Sequence, residues 1–148
     1  MKKALLKICI IIICTVVYSS ITLLRPNSTF TSTVFNISGI MFSIGLGLIV
    51  TFNLTGVKNK KYIKKIRQNI KHISQLFIIH FSLASICFLL NSIDNSSKNI
   101  VIYSHLHVRF NLSVAYNIVI IYSIIYFIIN FLAIQTLKDD IFDKTNEE

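Results

Sequence analysis

The sequence predicts an all-α integral membrane protein, built as a bundle of four transmembrane helices. The first observation is composition: 53% of the residues are hydrophobic and 14% are charged, whereas a soluble domain typically carries about 25% charged residues. The second is length, because a folded chain of 148 residues exposes much of its surface and would leave apolar patches in water. The third is that the apolar residues form four long runs without Asp, Glu, Lys or Arg. Together these observations argue against a soluble globular domain.

Each apolar run is long enough, or nearly so, to cross a bilayer as a helix. A hydrocarbon core about 30 Å thick takes about 20 residues of helix, and a helix satisfies every backbone group within its own segment. A membrane β-barrel would instead show short alternating segments. The predicted helices cover residues 8–24, 34–54, 73–90 and 112–134.

The first run has a second interpretation. Met1-Lys2-Lys3 followed by an apolar stretch is also typical of a secretory signal peptide. No clean Ala-x-Ala cleavage site occurs near Tyr18-Ser19-Ser20. We therefore expect an uncleaved transmembrane helix at this position.

Lysine and arginine are distributed unevenly over the predicted loops, and this predicts the orientation. Loops that carry more Lys and Arg remain in the cytoplasm. Three lysines lie in the first seven residues, and seven basic residues lie between the second and third helices. The first loop has Arg25 alone, and the third has Lys98 and Arg109. Both termini and the second loop are therefore predicted to be cytoplasmic. The bias toward Ile, Lys and Asn is typical of an AT-rich bacterial genome. We therefore expect the chain to lie in a bacterial inner membrane.

A stripe of small residues marks the second helix. Gly39, Ser43, Gly47 and Thr51 recur every four residues and so share one helix face. Helices in lipid associate through close contact, which small side chains permit. We expect this stripe to lie in a protein interface, either within one chain or between copies in a homo-oligomer.

His80 and Asn117 are polar residues within the apolar runs, and we add them to the residues predicted to pack helices together. His80 lies near the middle of the third helix, and an ionisable group at this depth marks a functional site by default. A neutral histidine bonded to Asn117, Tyr122 or Ser123 would simply join the third and fourth helices. We expect this packing role for His80 and Asn117, with a proton-linked role as the alternative.

The second loop is predicted to form a basic amphipathic helix over residues 57–72. Ile63, Ile66 and Ile70 follow the helical period, Asn59 is a suitable N-cap, and Thr55-Gly56 is expected to end the preceding helix. This segment would run into the third membrane helix, and either project into the cytoplasm or lie among the headgroups. Its predicted partner-binding residues are Lys58, Lys60, Lys61, Lys64, Lys65, Arg67 and Lys71.

The positive charge of this segment has several interpretations. Attraction to anionic lipid contributes about 1 kcal/mol per basic residue near the surface. The segment would equally serve as a docking surface for an acidic cytoplasmic protein, or be neutralised by the acidic tail of residues 135–148. Direct nucleic-acid binding is not expected, because no aromatic interleaving or groove-reading motif accompanies the charge.

The third loop is predicted to form a short extracytoplasmic hairpin. Apolar and polar residues alternate between Ile100 and Phe110, which is typical of a strand. His105 and His107 would share a face. Two ligands without a carboxylate or cysteine partner make a poor metal site, so no metal is predicted.

No catalytic constellation is visible, so we predict that the chain is not an enzyme and takes no cofactor. A Gly-rich phosphate loop and a serine elbow are both missing from the sequence. Cys9, Cys14 and Cys87 lie within apolar runs, where thiols behave as small hydrophobic groups. The runs also lack the carboxylates of proton relays and cation-coupled transporters, which disfavours a secondary transporter.

One resemblance extends over the whole chain. It is carried by the stretch from Ser38 to Gly45, SGIMFSIG, followed by Asn59-Lys60-Lys61, and by the size, the four-helix topology and the basic loop. In these features the chain resembles the small membrane subunit of the two-gene anti-phage system Kiwa, the KwaA family. The resemblance implies a tetrameric membrane sensor that holds a cytoplasmic effector acting on phage DNA.

These observations favour a non-enzymatic inner-membrane scaffold or sensor subunit. It would contact the lipid bilayer, oligomerise through its helices and recruit a soluble cytoplasmic protein to the basic loop, in anti-phage defence if the resemblance holds. Two alternatives remain open: an immunity protein against a pore-forming bacteriocin, and a homo-oligomeric membrane pore.

Overall fold

The computed structural model describes residues 2–21, 26–54, 59–93, 99–103 and 108–146. Within this part of the chain the predicted all-α fold class is confirmed, and one short hairpin lies between α3 and α4. The elements are α1 (Lys2–Ile21), α2 (Ser28–Val50), α3 (Lys60–Ile93), β1 (Asn99–Tyr103), β2 (Val108–Asn111) and α4 (Leu112–Asn146). Three helices, α2, α3 and α4, are long and apolar enough to cross a membrane, whereas the apolar helix Cys9–Ile21 within α1 is shorter.

Stacked phenylalanines join α2 to α3. The rings of Phe35 and Phe88 lie with their centroids 4.3 Å apart, and those of Phe42 and Phe81 are also 4.3 Å apart. Because the partner's number falls as the α2 number rises, the two helices are antiparallel. Where α2 begins and α3 ends, the Asn91 amide donates a hydrogen bond to the Thr31 hydroxyl at 3.4 Å.

α4 completes the bundle and runs antiparallel to α3. The Phe77 ring meets Phe127 edge-on with centroids 5.0 Å apart. Three residues farther along α3, the His80 carbonyl accepts a hydrogen bond from the Ser123 hydroxyl at 3.3 Å. α4 also contacts α2, while α1 packs against α4 and β2. We call the end that holds the last turn of α2, the first turns of α3 and the last turns of α4 the basic end.

Helix caps place both ends of α2 earlier than the apolar run predicts. The run begins at residue 34, but α2 begins at Ser28 because the Asn27 side chain accepts a hydrogen bond from the Phe30 amide at 2.7 Å. An N-cap satisfies an amide that the helix itself leaves without a partner. At the other end, α2 stops at Val50 and not at Thr55-Gly56, because Thr51 forms the C-cap and its amide and hydroxyl bond the Gly47 carbonyl.

α3 and α4 extend well past the lengths of their apolar runs. With 34 and 35 residues, each is about 50 Å long, compared with a hydrocarbon core of about 30 Å. The predicted basic segment and the apolar third helix are therefore one continuous helix. The tail after residue 134, which we expected only as an acidic extension, continues α4 as helix to Asn146.

The predicted hairpin is confirmed, at the end of the bundle opposite the basic end. β1 and β2 pair antiparallel, with Ile100 opposite Phe110 and Val101 opposite Arg109. The register shifts between Val101 and Tyr103. His105 and His107, considered as metal ligands, lie outside the described residues.

Candidate functional site

The basic segment begins α3 and is ordered from its first turn. The Asn59 side chain accepts hydrogen bonds from the amides of Lys61 and Tyr62 at 3.1 and 3.2 Å, so the predicted N-cap is confirmed. Six of the predicted partner-binding residues lie on this helix with exposed side chains, and Lys58 lies outside the described residues. The exposed six are Lys60, Lys61, Lys64, Lys65, Arg67 and Lys71.

Helix geometry sorts these six cations onto two faces. Lys60, Lys64, Arg67 and Lys71 follow one another at spacings of four, three and four residues, so they share one face; we call them the basic stripe. Lys61 and Lys65 are a second pair, also four residues apart. At 100° per residue, Lys65 lies nearly opposite Arg67.

Apolar contacts hold the basic segment against the rest of the bundle. Ile66, in the middle of the segment, is 3% exposed, and Ile141, near the end of α4, is 6% exposed. Extending the Phe77–Phe127 register by eleven residues places Ile66 level with Lys138, one helical turn from Ile141. The segment therefore continues the α3 axis beside α4.

Few acidic groups oppose this charge. The first acidic residue of the sequence is Asp94, so neither α2 nor α3 contains a carboxylate. Asp139, Asp140 and Asp143 on α4 lie at the basic end with exposed side chains. Among the described residues they form no ion pair with the lysines of α3. Ile141 marks the buried side of α4 here. Asp139 and Asp143, each two residues from Ile141, lie nearly opposite that side, and Asp140 lies about 100° from it.

A pocket of about 450 Å³ opens between the end of α2 and the basic segment. Of the described residues that line it, five are Ile, Leu or Phe, one is Asn53, and one is the cation Arg67. Since the stripe residues flank Arg67 on the same helix face, the pocket has a basic rim. The lining residues are Ile49, Phe52, Asn53, Leu54, Ile63, Arg67 and Ile70.

The small-residue stripe of α2 lies mostly on the outer surface of the bundle. A side chain added at Gly47 would meet no atom within 4 Å, while one at Gly39 would reach the Phe81 ring at 3.8 Å. Ser43 and Thr51 are exposed, and their hydroxyls bond carbonyls of their own helix. Of the two expected uses, contact with another chain is the one for which this surface is available.

The core face of α2 is a different set of small residues, which the four-residue pattern missed. Thr31, Ser38 and Gly45 are buried and recur every seven residues, which also returns to the same helix face. Gly45 is in direct contact range of the Phe77 ring, so that no Cβ fits between them. A search for seven-residue spacing of small residues would have found this face.

His80 joins α3 to α4 through its ring, whose centroid lies 5.9 Å from that of Tyr122. The His80 ring stacks on Tyr126 with centroids 3.8 Å apart, and its Nδ1 lies 2.8 Å from the Leu76 carbonyl. The contact with Ser123 uses the His80 main-chain carbonyl. Asn117 is buried, but its amide bonds the Ser113 carbonyl on its own helix and its Oδ1 has no hydrogen-bond partner.

The described residues contain no group of three or more His, Cys, Asp or Glu side chains that would hold a metal ion. The three cysteines are free thiols: Cys9 and Cys14 are exposed on α1, and Cys87 is buried. The features of the described residues that bear on function are the exposed cations of α3 and the pocket beside Arg67, both at the basic end. No protein-family model, curated protein or solved structure matches this chain, so the assignment of function rests on that geometry.

Proposed function

We propose that this chain is a non-enzymatic scaffold of the bacterial inner membrane that docks an acidic cytoplasmic protein on the first turns of α3. In this arrangement α1 crosses the bilayer as a fourth helix, and both termini and the basic end face the cytoplasm. The distribution of Lys and Arg over the loops supports this orientation.

The observation that carries the proposal is the continuity of α3. One helix of 34 residues holds six exposed cations beyond its apolar part, and buried Ile66 fixes it in place. A flexible loop would serve equally well as a topology signal. A fixed row of charges costs less entropy to bind than a mobile one, and complementary charge steers a partner to it.

The outward stripe on α2 and the resemblance to the Kiwa membrane subunit extend the proposal. The exposed members of this stripe, Ser43, Gly47 and Thr51, offer a surface on which a second copy can approach closely. Several copies would array several basic ends around one partner. A sensor of this design in anti-phage defence would hold a soluble effector at the membrane.

Reversing the two lysines that face away from the pocket tests the docking surface. We expect Lys61→Glu/Lys65→Glu to release the soluble partner that co-purifies with the wild-type chain from membranes at low salt. Raising the salt should act in the same direction, since the Debye length falls from about 10 Å at 0.1 M to about 3 Å at 1 M.

The matched control is Lys61→Arg/Lys65→Arg, which keeps both charges and should keep the partner. Membrane insertion of each variant is measured by resistance to extraction with alkali. If no soluble protein co-purifies with the wild-type chain at low salt, or if the reversed variant retains it, the scaffold proposal fails. The alternative functions are then an immunity protein or a homo-oligomeric pore. Of these two, the pore would leak ions when expressed alone.

A further inference from the structure

The pocket at the basic end lies at the level of lipid headgroups. α2 ends at Val50, and Lys71 is the last charged residue of α3 before its apolar part. Lys71 and Arg67 precede Ile73, the first residue of that part, by about 3 Å and about 9 Å along the helix axis. The headgroup region of each leaflet is about 5–8 Å thick, so with Ile73 at the edge of the hydrocarbon core Lys71 lies within that region and Arg67 lies at its outer edge.

The lining of the pocket suits a ligand that is both apolar and anionic. Among the described residues that line it, five of seven are Ile, Leu or Phe, and Arg67 is the one cation. A guanidinium presents a planar fork of donors that matches two oxygens of a phosphate group. Among the described residues, no hydrogen bond or ion pair engages the Arg67 side chain.

The surroundings favour an anion further. Lys60, Lys64 and Lys71 flank Arg67 on the same helix face, and all are exposed. The described stretch from α2 to the end of α3, which forms the pocket, contains no acidic residue.

We propose that this pocket binds an anionic phospholipid of the adjacent leaflet. The lipid phosphate contacts Arg67, and the first part of an acyl chain lies along Ile49, Phe52 and Ile70. The volume of about 450 Å³ lies within the range of ligand sites, about 300–1,000 Å³, and admits a headgroup with the start of one chain. The remaining chain length stays in the bilayer beside α2. This lipid site uses the face opposite Lys65 and does not depend on a protein partner.

The test compares two variants that lose the same charge. The purified full chain in neutral detergent is titrated with dioleoyl phosphatidylglycerol, and bound lipid is counted by native mass spectrometry. Loss of a charge-assisted bidentate contact should weaken binding in Arg67→Gln by about tenfold. Lys65→Gln, on the far face, should weaken it by no more than about twofold. Arg67→Lys keeps the charge without the fork and should lie between the two.

Further titrations distinguish a phospholipid from a free phosphate compound as the ligand. Dioleoyl phosphatidylcholine, with no net charge, should bind at least about tenfold more weakly than phosphatidylglycerol. Glycerol phosphate and inorganic phosphate, which lack an acyl chain, should not compete at equal concentration. Equal losses in Arg67→Gln and Lys65→Gln would reduce the effect to general surface charge and overturn the proposal. Tight binding of free phosphate, or equal binding of the two lipids, would also overturn it. Circular dichroism checks that each variant keeps its helix content.

Discussion

Gly45 and Gly47 are two residues apart on α2 and have opposite surroundings. Gly45 is buried and touches the Phe77 ring, whereas a side chain at Gly47 would enter open space. The Phe77 ring is itself fully buried, and Phe127 and Tyr126 contact it edge-on. It therefore has little room to move. A glycine at position 45 is what allows α2 and α3 to approach at this point.

Gly45→Ala is therefore expected to destabilise the fold by about 1–3 kcal/mol, the usual cost of overfilling a well-packed interior. Gly47→Ala, on the same helix, should change stability by less than about 1 kcal/mol, since only helix propensity changes there. Unfolding of the detergent-purified chain by heat or by sodium dodecyl sulfate measures both. Equal effects of the two substitutions would show that Phe77 does not press on Gly45.

The contact between Gly45 and Phe77 also shows the limit of reading the sequence alone. Small residues on α2 are visible in the sequence, and so is their spacing. Which set faces the core depends on where α3 lies, and therefore on residues far along the chain. The sequence indicates that the four-residue stripe is a surface for close approach between helices. Only the structure shows that the stripe faces outward from the bundle and not toward α3. His80 is similar: its link to α4 was predicted, while its stacking on Tyr126 was not.

At the scale of elements, hydropathy located the helices better than it located their ends. An apolar run marks the part of a helix that suits lipid, whereas the backbone remains helical until a cap or a break stops it. Asn27 therefore starts α2 six residues before its apolar run. α4 likewise continues through Lys138 and Asp143 to Asn146, because charged residues are good or adequate helix formers.

The outward face of α2 makes a prediction at this scale. Gly47→Leu places a branched side chain on a surface that needs close approach between copies, and should weaken self-association by a few kcal/mol at most. The fold of the single chain should survive, because a Cβ at position 47 would meet no other part of the bundle within 4 Å. Size-exclusion chromatography with light scattering in mild detergent measures the assembly. Ile86→Leu, a volume-conserving change at an exposed α3 position, is the control. An unchanged oligomer in Gly47→Leu would mean that the stripe faces lipid.

The whole molecule displays apolar side chains over most of its outer surface. The described residues with exposed large hydrophobic side chains lie on all four helices, and in water such a surface would drive aggregation. In a bilayer the same surface faces lipid tails. Examples from each helix are Ile13 at 60% exposed, Ile40 at 59%, Ile79 at 58% and Ile129 at 61%. Among the described residues the buried hydrophobic side chains are mostly aliphatic, and the rings of Phe77 and Phe127 are buried with them.

The orientation of the whole molecule is the last prediction, and the cytoplasmic docking proposal depends on it. In a chain whose native cysteines are replaced by alanine, a cysteine at Ser96, between α3 and β1, should react with a membrane-impermeant thiol reagent in intact cells. A cysteine at Gln68, exposed within the basic segment of α3, should react only after the cells are permeabilised. The physical reason is the charge asymmetry: seven Lys and Arg residues in one loop against two in the next favour retention of the first in the cytoplasm. Labelling of Gln68→Cys alone in intact cells would place the basic end outside and remove the cytoplasmic partner from the proposal. The lipid site would remain, because its argument uses only the depth of the pocket and the charge around it.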